Sequence, residues 1–341
     1  MMNIQFLHSD QAFSDLFYVW ETLLGHAATN TPFQQPDYLS TWWSTMGGGE
    51  WEEGELWLGV GQTTDGDVVG ISPLFFSKDR DGRPSIYLVG SIEVSDYLDF
   101  IVSESTAEAF VDALLESLDR EGPEGWEVLD LYNLPEESVT VTALQRSAQE
   151  RGWKVETQRI SPLPFVTLDG DWETYLQALS SKQRKEVKRK RKRADQYPAR
   201  VSWRIVDQES PIESEIELFL GLMQNDSEKR AFLTESMMDF FRRLALVSHQ
   251  RGWLQLAFLE VGGEPVFGYL NFDYEDKLWI YNSGFNPSHY ELSPGWVLMT
   301  HLIHWAIDHD RTEVDFLRGD ETYKYRLGGV DRHIVRLTIE R

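Results

Sequence analysis

Residues 278–319 are the most telling unit of the chain: a strand, a Pro- and Gly-bearing connection, an amphipathic helix and a second strand. LWIYNSGF, 278–285, has the apolar and aromatic content of a largely buried strand. NPSHYELSPG joins it to WVLMTHLIHWAIDHD, where Trp296, Met299, Leu302, Ile303 and Ala306 fall on one side of a helix. The second strand, with Val314, Phe316 and Leu317, runs straight into Arg318, Gly319, Asp320, Glu321, Lys324 and Arg326, with Tyr323 and Tyr325 between the last charges. A buried strand that opens onto opposite charges and two aromatics is either a solvated turn stitched by ion pairs or the floor of a binding site.

The rest of the chain alternates helix-like and strand-like periods in a similar order in both halves, with no literal repeat. Helical spacing marks 11–27, a short aromatic helix YLSTWWSTM ending at Gly47–Gly49, TAEAFVDALLESLDR, and a weaker helix closing at Gly152. ELWLGVGQT and VVGISPLFFS read as strands around an Asp65–Gly66 hairpin signal, followed by SIYLVGS, DYLDFIVS and WEVLDLYNL. WKVETQRISPLPFVTLDG is interrupted three times by Pro or Gly. Beyond it, one long helix is expected over 171–196, capped by Asp169 or Asp171, with helices over 212–226 and 234–251 and a helix over 294–309 among further strands. These patterns predict two α/β domains, 1–165 and 166–341.

With 41% hydrophobic residues, 13 Trp, 13 Tyr and 18 Phe, the chain holds material for two cores. It has no cysteine, which excludes disulfides, thiolate nucleophiles and Cys-ligated metals. No run approaches the 18 apolar residues of a membrane span, and MMNIQFLHSDQAF lacks the pattern of a secretory signal. A soluble, cytoplasmic protein is the expectation. A net charge of −24 disfavours a general nucleic-acid binder. The exception is KQRKEVKRKRKR, 182–193, with nine Lys/Arg and one Glu, which leaves 23 basic and 55 acidic residues elsewhere. No aromatic interleaves these cations, so the run is either a solvated face or a contact for phosphates. His301 and His304 lie three apart on one helix, but no third ligand accompanies them and no metal is expected.

Five segments in order resemble the GNAT acyltransferase superfamily, most closely the BioF-like and cellulose-biosynthesis-associated acetyltransferases, whose relatives include the Fem-type peptidyltransferases. They are TPFQQPDYLSTWW (31–43), SDYLDF (95–100), LSSKQRKEVKRKRKR (179–193), YNSGFNP with LSPG, and DFLRGDETYKYRLGG (315–329). The resemblance implies tandem GNAT-like domains, each a mixed, mostly antiparallel sheet flanked by helices, with the acyl donor in the second. It also implies that a splayed strand exposes its backbone to the pantetheine while the next helix start holds the pyrophosphate. Here that strand is 278–285, with Asn282, Ser283 and Gly284, and the helix start is Ser293–Trp296, with Gly295. Ser293 stands where a capping hydroxyl belongs and Pro294 at the first helical position. A helix start with free N–H groups suits an anion. YELSPG replaces the usual Arg/Gln-x-x-Gly-x-Gly/Ala loop, and Fem-type relatives take aminoacyl-tRNA instead of CoA.

Acyl transfer to an amine or hydroxyl needs a base, an oxyanion donor and alignment of both reactants. Asp320 or Glu321 offers the base, Asp320 first because it follows the strand end directly. Lys324 offers the oxyanion donor, and Arg318 or Arg326 a clamp for phosphate or carboxylate. Asp96, Tyr97 and Asp99, together with Tyr323, are candidates for binding the acceptor. Without His or Cys in 315–329, direct attack on the donor is simpler than a covalent acyl-enzyme. The expected function is N- or O-acyl transfer, chiefly acetyl, from acetyl-CoA or another acyl-CoA to a small molecule, sugar, amino sugar or polysaccharide precursor. The alternatives are a Fem-type transferase using aminoacyl-tRNA, for which tRNA would be the one nucleic-acid partner, and an inactive binding or assembly protein.

Overall fold

In the computed structural model, which describes residues 2–341, β1 (Asn3–Leu7) starts an antiparallel meander completed by β2 (Glu55–Gln62), β3 (Val68–Lys78) and β4 (Pro84–Leu88). Asp65–Gly66 lies at the turn between β2 and β3, where Gly66 takes a φ of 90° that a side chain would resist. Helices α1 (Gln11–Asp15), α2 (Phe17–Leu24) and α3 (Pro36–Gly49) lie between β1 and β2 in the chain. After β5 (Ile101–Val102), a short partner of β3, α4 (Ala107–Glu121) buries Phe110, Val111, Leu114, Leu115 and Leu118 along one face. It leads to β6 (Val128–Pro135), parallel to β4, the pairing that a helical crossover permits. The Ser138 hydroxyl then caps α5 (Val139–Glu150), accepting from the Thr140 N–H at 3.1 Å.

Past β7 (Lys154–Thr167) the order is α6 (Trp172–Ala178), α7 (Ser181–Asp195), β8 (Val201–Ile205), α8 (Ile212–Met223), α9 (Ser227–Phe232) and α10 (Glu235–Gln250). Strands β9 (Leu254–Val261), β10 (Glu264–Tyr274) and β11 (Lys277–Phe285) follow, then α11 (Pro294–Asp308), β12 (Glu313–Asp315), α12 (Thr322–Arg326) and β13 (Val330–Glu340). β8, β9, β10 and β11 pair antiparallel in that order, β11 pairs parallel with β12, and β12 pairs antiparallel with β7. Both groups of strands are thus mixed, mostly antiparallel sheets flanked by helices.

The chain divides into two compact units, Met1–Ser161 with His333–Arg341, and Pro162–Arg332. The last residues belong to the first unit because β13 pairs with β6 from Ile334↔Pro135 to Glu340↔Val128. Strand partners need not be neighbours in sequence, so the order of elements does not disclose this. β7 is one strand despite Pro162 and Pro164, because those prolines contribute carbonyls: their oxygens accept from the N–H groups of Gly319 at 3.1 Å and Phe316 at 2.9 Å.

The helix expected over 171–196 is two. Asp171 caps α6, its carboxylate accepting from the Thr174 N–H at 2.8 Å, and Leu179 is extended at φ −71°, ψ 148°. Ser180 and Gln183 then form a capping box that starts α7 afresh. Between the two helices expected over 212–226 and 234–251 stands a third, α9, capped by Asp226 through the N–H groups of Glu228 and Lys229. In the second unit α11 buries Trp296, Val297, Met299, Leu302, Ile303 and Ala306 in a core that includes Ala257, Leu259, Leu278, Ile280 and Val314. Each large side chain so buried contributes about 1.5–3 kcal/mol, which fixes both ends of α11 relative to β11.

Candidate functional site

β11 and β12 part company. They pair only from Lys277↔Glu313 to Trp279↔Asp315. Beyond that point the chain after β12 stays with β7, through the Phe316 and Gly319 N–H groups, while β11 continues beside β10. One edge of residues 280–285 is therefore left without a strand partner. The Asn286 N–H to Val266 O bond, 2.8 Å, sets the phase of the β10–β11 ladder. Opposed residues in such a ladder alternate between exchanging hydrogen bonds and turning them outward, so Ser283 and Phe285 turn theirs to the open edge.

Side chains that sequence reading missed meet those carbonyls. Lys229, on α9, donates its Nζ to the Ser283 carbonyl, to Ser283 Oγ at 3.1 Å and to Asn282 Oδ1 at 3.3 Å. Asn225 Nδ2 donates to the Phe285 carbonyl at 3.0 Å. Asn282 Oδ1 also accepts from the Ser283 N–H at 2.9 Å. Burial pulls the Lys229 ammonium below its ordinary pKa, although Asp226 and Glu321 attract it through space. The sequence signal that could have found Lys229 is Asp226, a capping residue directly before Ser-Glu-Lys. Gly284 serves packing: a Cβ there would stand 2.6 Å from the Met223 nitrogen.

The 315–329 segment is a turn followed by one short helix. Lys324 is only 2% exposed, and its ammonium donates to the carbonyls of Leu317 at 3.0 Å, Arg318 at 2.7 Å and Gly319 at 3.2 Å. It also pairs with Glu321 Oε2 at 2.9 Å. Three protons already face four acceptors, so Lys324 holds the turn. Leu317 adopts φ 54°, with its N–H on Asp315 Oδ1 at 2.7 Å. Gly319, at φ 115°, is needed twice over, because a Cβ would also stand 2.5 Å from Glu321 Oε2. Glu321 remains 56% exposed while leaning on Lys324, and the hydroxyls of buried Tyr269 and partly buried Tyr323 feel its charge, which adds to the desolvation that raises both above their ordinary pKa. Asp320 is exposed, and its charge and that of Glu321 both act on the Tyr325 hydroxyl. Arg318 is half-buried, and exposed Arg326 lies 3.7 Å from Glu186 on α7.

At the start of α11, Ser293 occupies the cap position but caps nothing. It takes the left-handed φ of 55°, and its hydroxyl accepts from Arg193 Nη2 at 3.2 Å. Pro294 brings no N–H, and Gly295 makes room for the Phe267 ring, 2.6 Å from where its Cβ would be. Arg193 Nε and Trp296 Nε1 are both buried without a hydrogen-bond partner. Lys190 Nζ sits 4.1 Å from the centre of the Trp296 ring, and burial lowers its pKa, with Arg189 and Arg193 adding to the effect. Beside them, Arg189, Lys192, Arg193, Gln196, Tyr197 and Pro198 line a hollow of about 430 Å³. Along α7, Lys182, Lys185, Lys188, Arg189 and Lys192 form an exposed ridge at helical spacing, while Val187 and Ala194 are buried.

The remaining candidates belong to the first unit. Asp99 is 1% exposed and committed to internal donors: Thr29 Oγ1 at 2.7 Å, Ser138 Oγ at 2.5 Å and the Phe100 N–H at 2.7 Å. Burial raises its pKa. Asp96 is buried nearby, and Tyr97, at φ 50°, is buried with its carbonyl on Thr31 Oγ1 at 3.2 Å. In the second unit His301 stacks on Trp203 and bonds Arg191, its pKa pushed down to about 4 chiefly by burial, and His304 stacks on Trp172. Among the described residues no group of three or more His, Cys, Asp or Glu could hold a metal ion, and no helix is long and apolar enough to cross a membrane.

The splayed pair and the helix start stand where the acyltransferase resemblance puts them, and comparison with known proteins agrees on the fold. Residues 181–325 match the family model described as acetyltransferase (GNAT) domain, so the second unit carries a GNAT domain. The whole chain has a Fem-like fold: it is similar to the crystal structure of FemX, with TM-score 0.68 and 14% identity over 97% of this chain and 96% of that one. It is also similar to a conserved protein from Bacteroides thetaiotaomicron VPI-5482, with TM-score 0.62 and 11% identity over 99% and 100% of the two chains. L-PGS from Bacillus licheniformis gives TM-score 0.56 and 14% identity over 95% and 91%. No curated protein matches the chain.

Proposed function

We propose that the second unit transfers an acyl group, chiefly acetyl, from an acyl-CoA to an amine or hydroxyl of a sugar, amino sugar or related precursor. The observation that carries this reading is the start of α11. A capless helix start, the unpartnered Arg193 Nε and Trp296 Nε1, and the cations of α7 form a seat for phosphates. The acyl end of a donor anchored there would lie along the open edge of β11, and Glu321 is the accessible carboxylate beside that edge. Glu321, paired with Lys324 at 2.9 Å and acting through space on Lys229, takes the proton of the attacking group in preference to Asp320. Attack on the acyl carbon moves the carbonyl electron pair onto oxygen. Collapse of that oxyanion expels the carrier's sulfur, and the proton held by Glu321 can follow it.

Titration with acetyl-CoA tests the reading: micromolar binding and thermal stabilisation are expected, with Arg193→Ala weakening affinity about tenfold, the loss of one charge-assisted contact. Absence of binding at millimolar acetyl-CoA contradicts it. A second reading, transfer from aminoacyl-tRNA, is favoured by one observation, the five-cation ridge of α7, which is longer than a pyrophosphate needs. Binding of charged tRNA that weakens steeply with salt, in the absence of acetyl-CoA binding, would replace the first reading with this one.

A further inference from the structure

We propose that Lys229 is a catalytic residue of this site, the donor that receives the negative charge developing on the acyl oxygen. The inference rests on the reading above, that an acyl thioester lies along the open edge of β11. Lys229 Nζ is already at that edge, bound to the Ser283 carbonyl, Ser283 Oγ and Asn282 Oδ1. All three acceptors are neutral, and among the described residues no carboxylate pairs with this partly buried ammonium, although Asp226 and Glu321 act on it through space. Its two side-chain contacts, at 3.1 and 3.3 Å, are long and rotatable. An ammonium in that condition gains by exchanging a neutral oxygen for an anionic one, because charge-assisted bonds are about twice as strong as neutral ones. Burial leaves its charge little screened, the setting in which a preorganised donor acts most strongly on a transition state.

Competing groups are already engaged. Lys324 is already paired with a carboxylate, Glu321, besides three carbonyls, and the Ser283 N–H, which faces the same edge, is held by Asn282 Oδ1. In the step, the nucleophile's lone pair forms the new bond to the acyl carbon and the carbonyl π pair moves to oxygen. Lys229 donates a hydrogen bond to that oxygen without losing its proton. The nucleophile's proton goes to Glu321, the oxyanion's pair reforms the carbonyl, and the C–S bond breaks with its pair on sulfur.

The test uses the full chain and acetyl-CoA carrying a heavy carbon at its carbonyl. Hydrogen bonding to Lys229 is expected to shift the bound carbonyl's infrared band to lower frequency than in free acetyl-CoA. Lys229→Met is expected to return the band toward the free position while the dissociation constant stays within about threefold of wild type. Thiol release from acetyl-CoA, measured against a protein with no cysteine of its own, is expected to fall about 10²-fold. Lys229→Arg, which keeps the cation, should keep part of the shift. If Lys229→Met fails to fold, Lys229→Gln gives the same comparison, since it can still donate to Ser283 but carries no charge. An identical band in wild type and the uncharged variant overturns the proposal while leaving acyl-CoA binding intact. Failure of the wild type to bind acetyl-CoA overturns the reading beneath it, and Lys229's role with it.

Discussion

Lys324→Met is expected to destabilise the second unit by about 3–5 kcal/mol, the range seen when one partner of a buried charged set is removed. The side chain is nearly isosteric, so packing is largely kept and the loss isolates the ammonium. Three carbonyls, those of Leu317, Arg318 and Gly319, would lose the donor that gathers them, and Glu321 would lose its 2.9 Å partner. With those gone, nothing offsets the left-handed Leu317 and the positive φ of Gly319 that the turn requires. Thermal or urea unfolding checks this, and a loss below about 1 kcal/mol, the value of an ordinary exposed pair, would contradict it. Activity should fall as well, because Glu321 is positioned by the same ammonium. Lys324→Arg separates the two roles poorly, since a guanidinium cannot point at three carbonyls from one atom.

Glu321→Gln is expected to lower acyl transfer by about 10²-fold or more, the contribution of a positioned general base, while acetyl-CoA affinity changes little. Gln keeps the size that Gly319 accommodates and removes only the capacity to take a proton. The companion Asp320→Asn should fall far less, because the Lys324 ammonium holds Glu321 in place while Asp320 is an exposed carboxylate. Release of thiol from acetyl-CoA, with amino sugars offered as acceptors, reads both variants. If Asp320→Asn loses rate and Glu321→Gln does not, the proton acceptor is the residue nearer the strand end, and the geometry described above is not the reacting one.

Much of this site was legible in sequence at the level of segments. The buried strand 278–285, the Pro-started helix and the charged turn stand where periodicity puts them, because each is fixed by local pattern and by apolar faces that have to be covered. Individual roles were less legible, for reasons of burial and pairing. Lys324 reads as an active-site cation until three carbonyls are seen around it. Ser293 reads as a cap until its left-handed backbone turns the hydroxyl to Arg193. Gly284 and Gly295 make room for Met223 and Phe267, contacts that depend on elements far away in sequence. Lys229 was hidden because α9 is only six residues long and too short to show a period, although its Asp226 cap was in plain view. The membership of the last strand in the first unit depends on β6, some 200 residues earlier, and no local pattern carries it.

Amide hydrogen exchange on the full chain, with and without saturating acetyl-CoA, tests the placement of the donor most directly. Slowed exchange is expected at Ser283 and Phe285, whose N–H groups face the open edge of β11, and at the first turn of α11, residues 295–297, since a bound carrier covers both. Saturable binding with protection confined to residues 2–161, or with no change in either segment, would show that the donor does not lie on this strand and helix start.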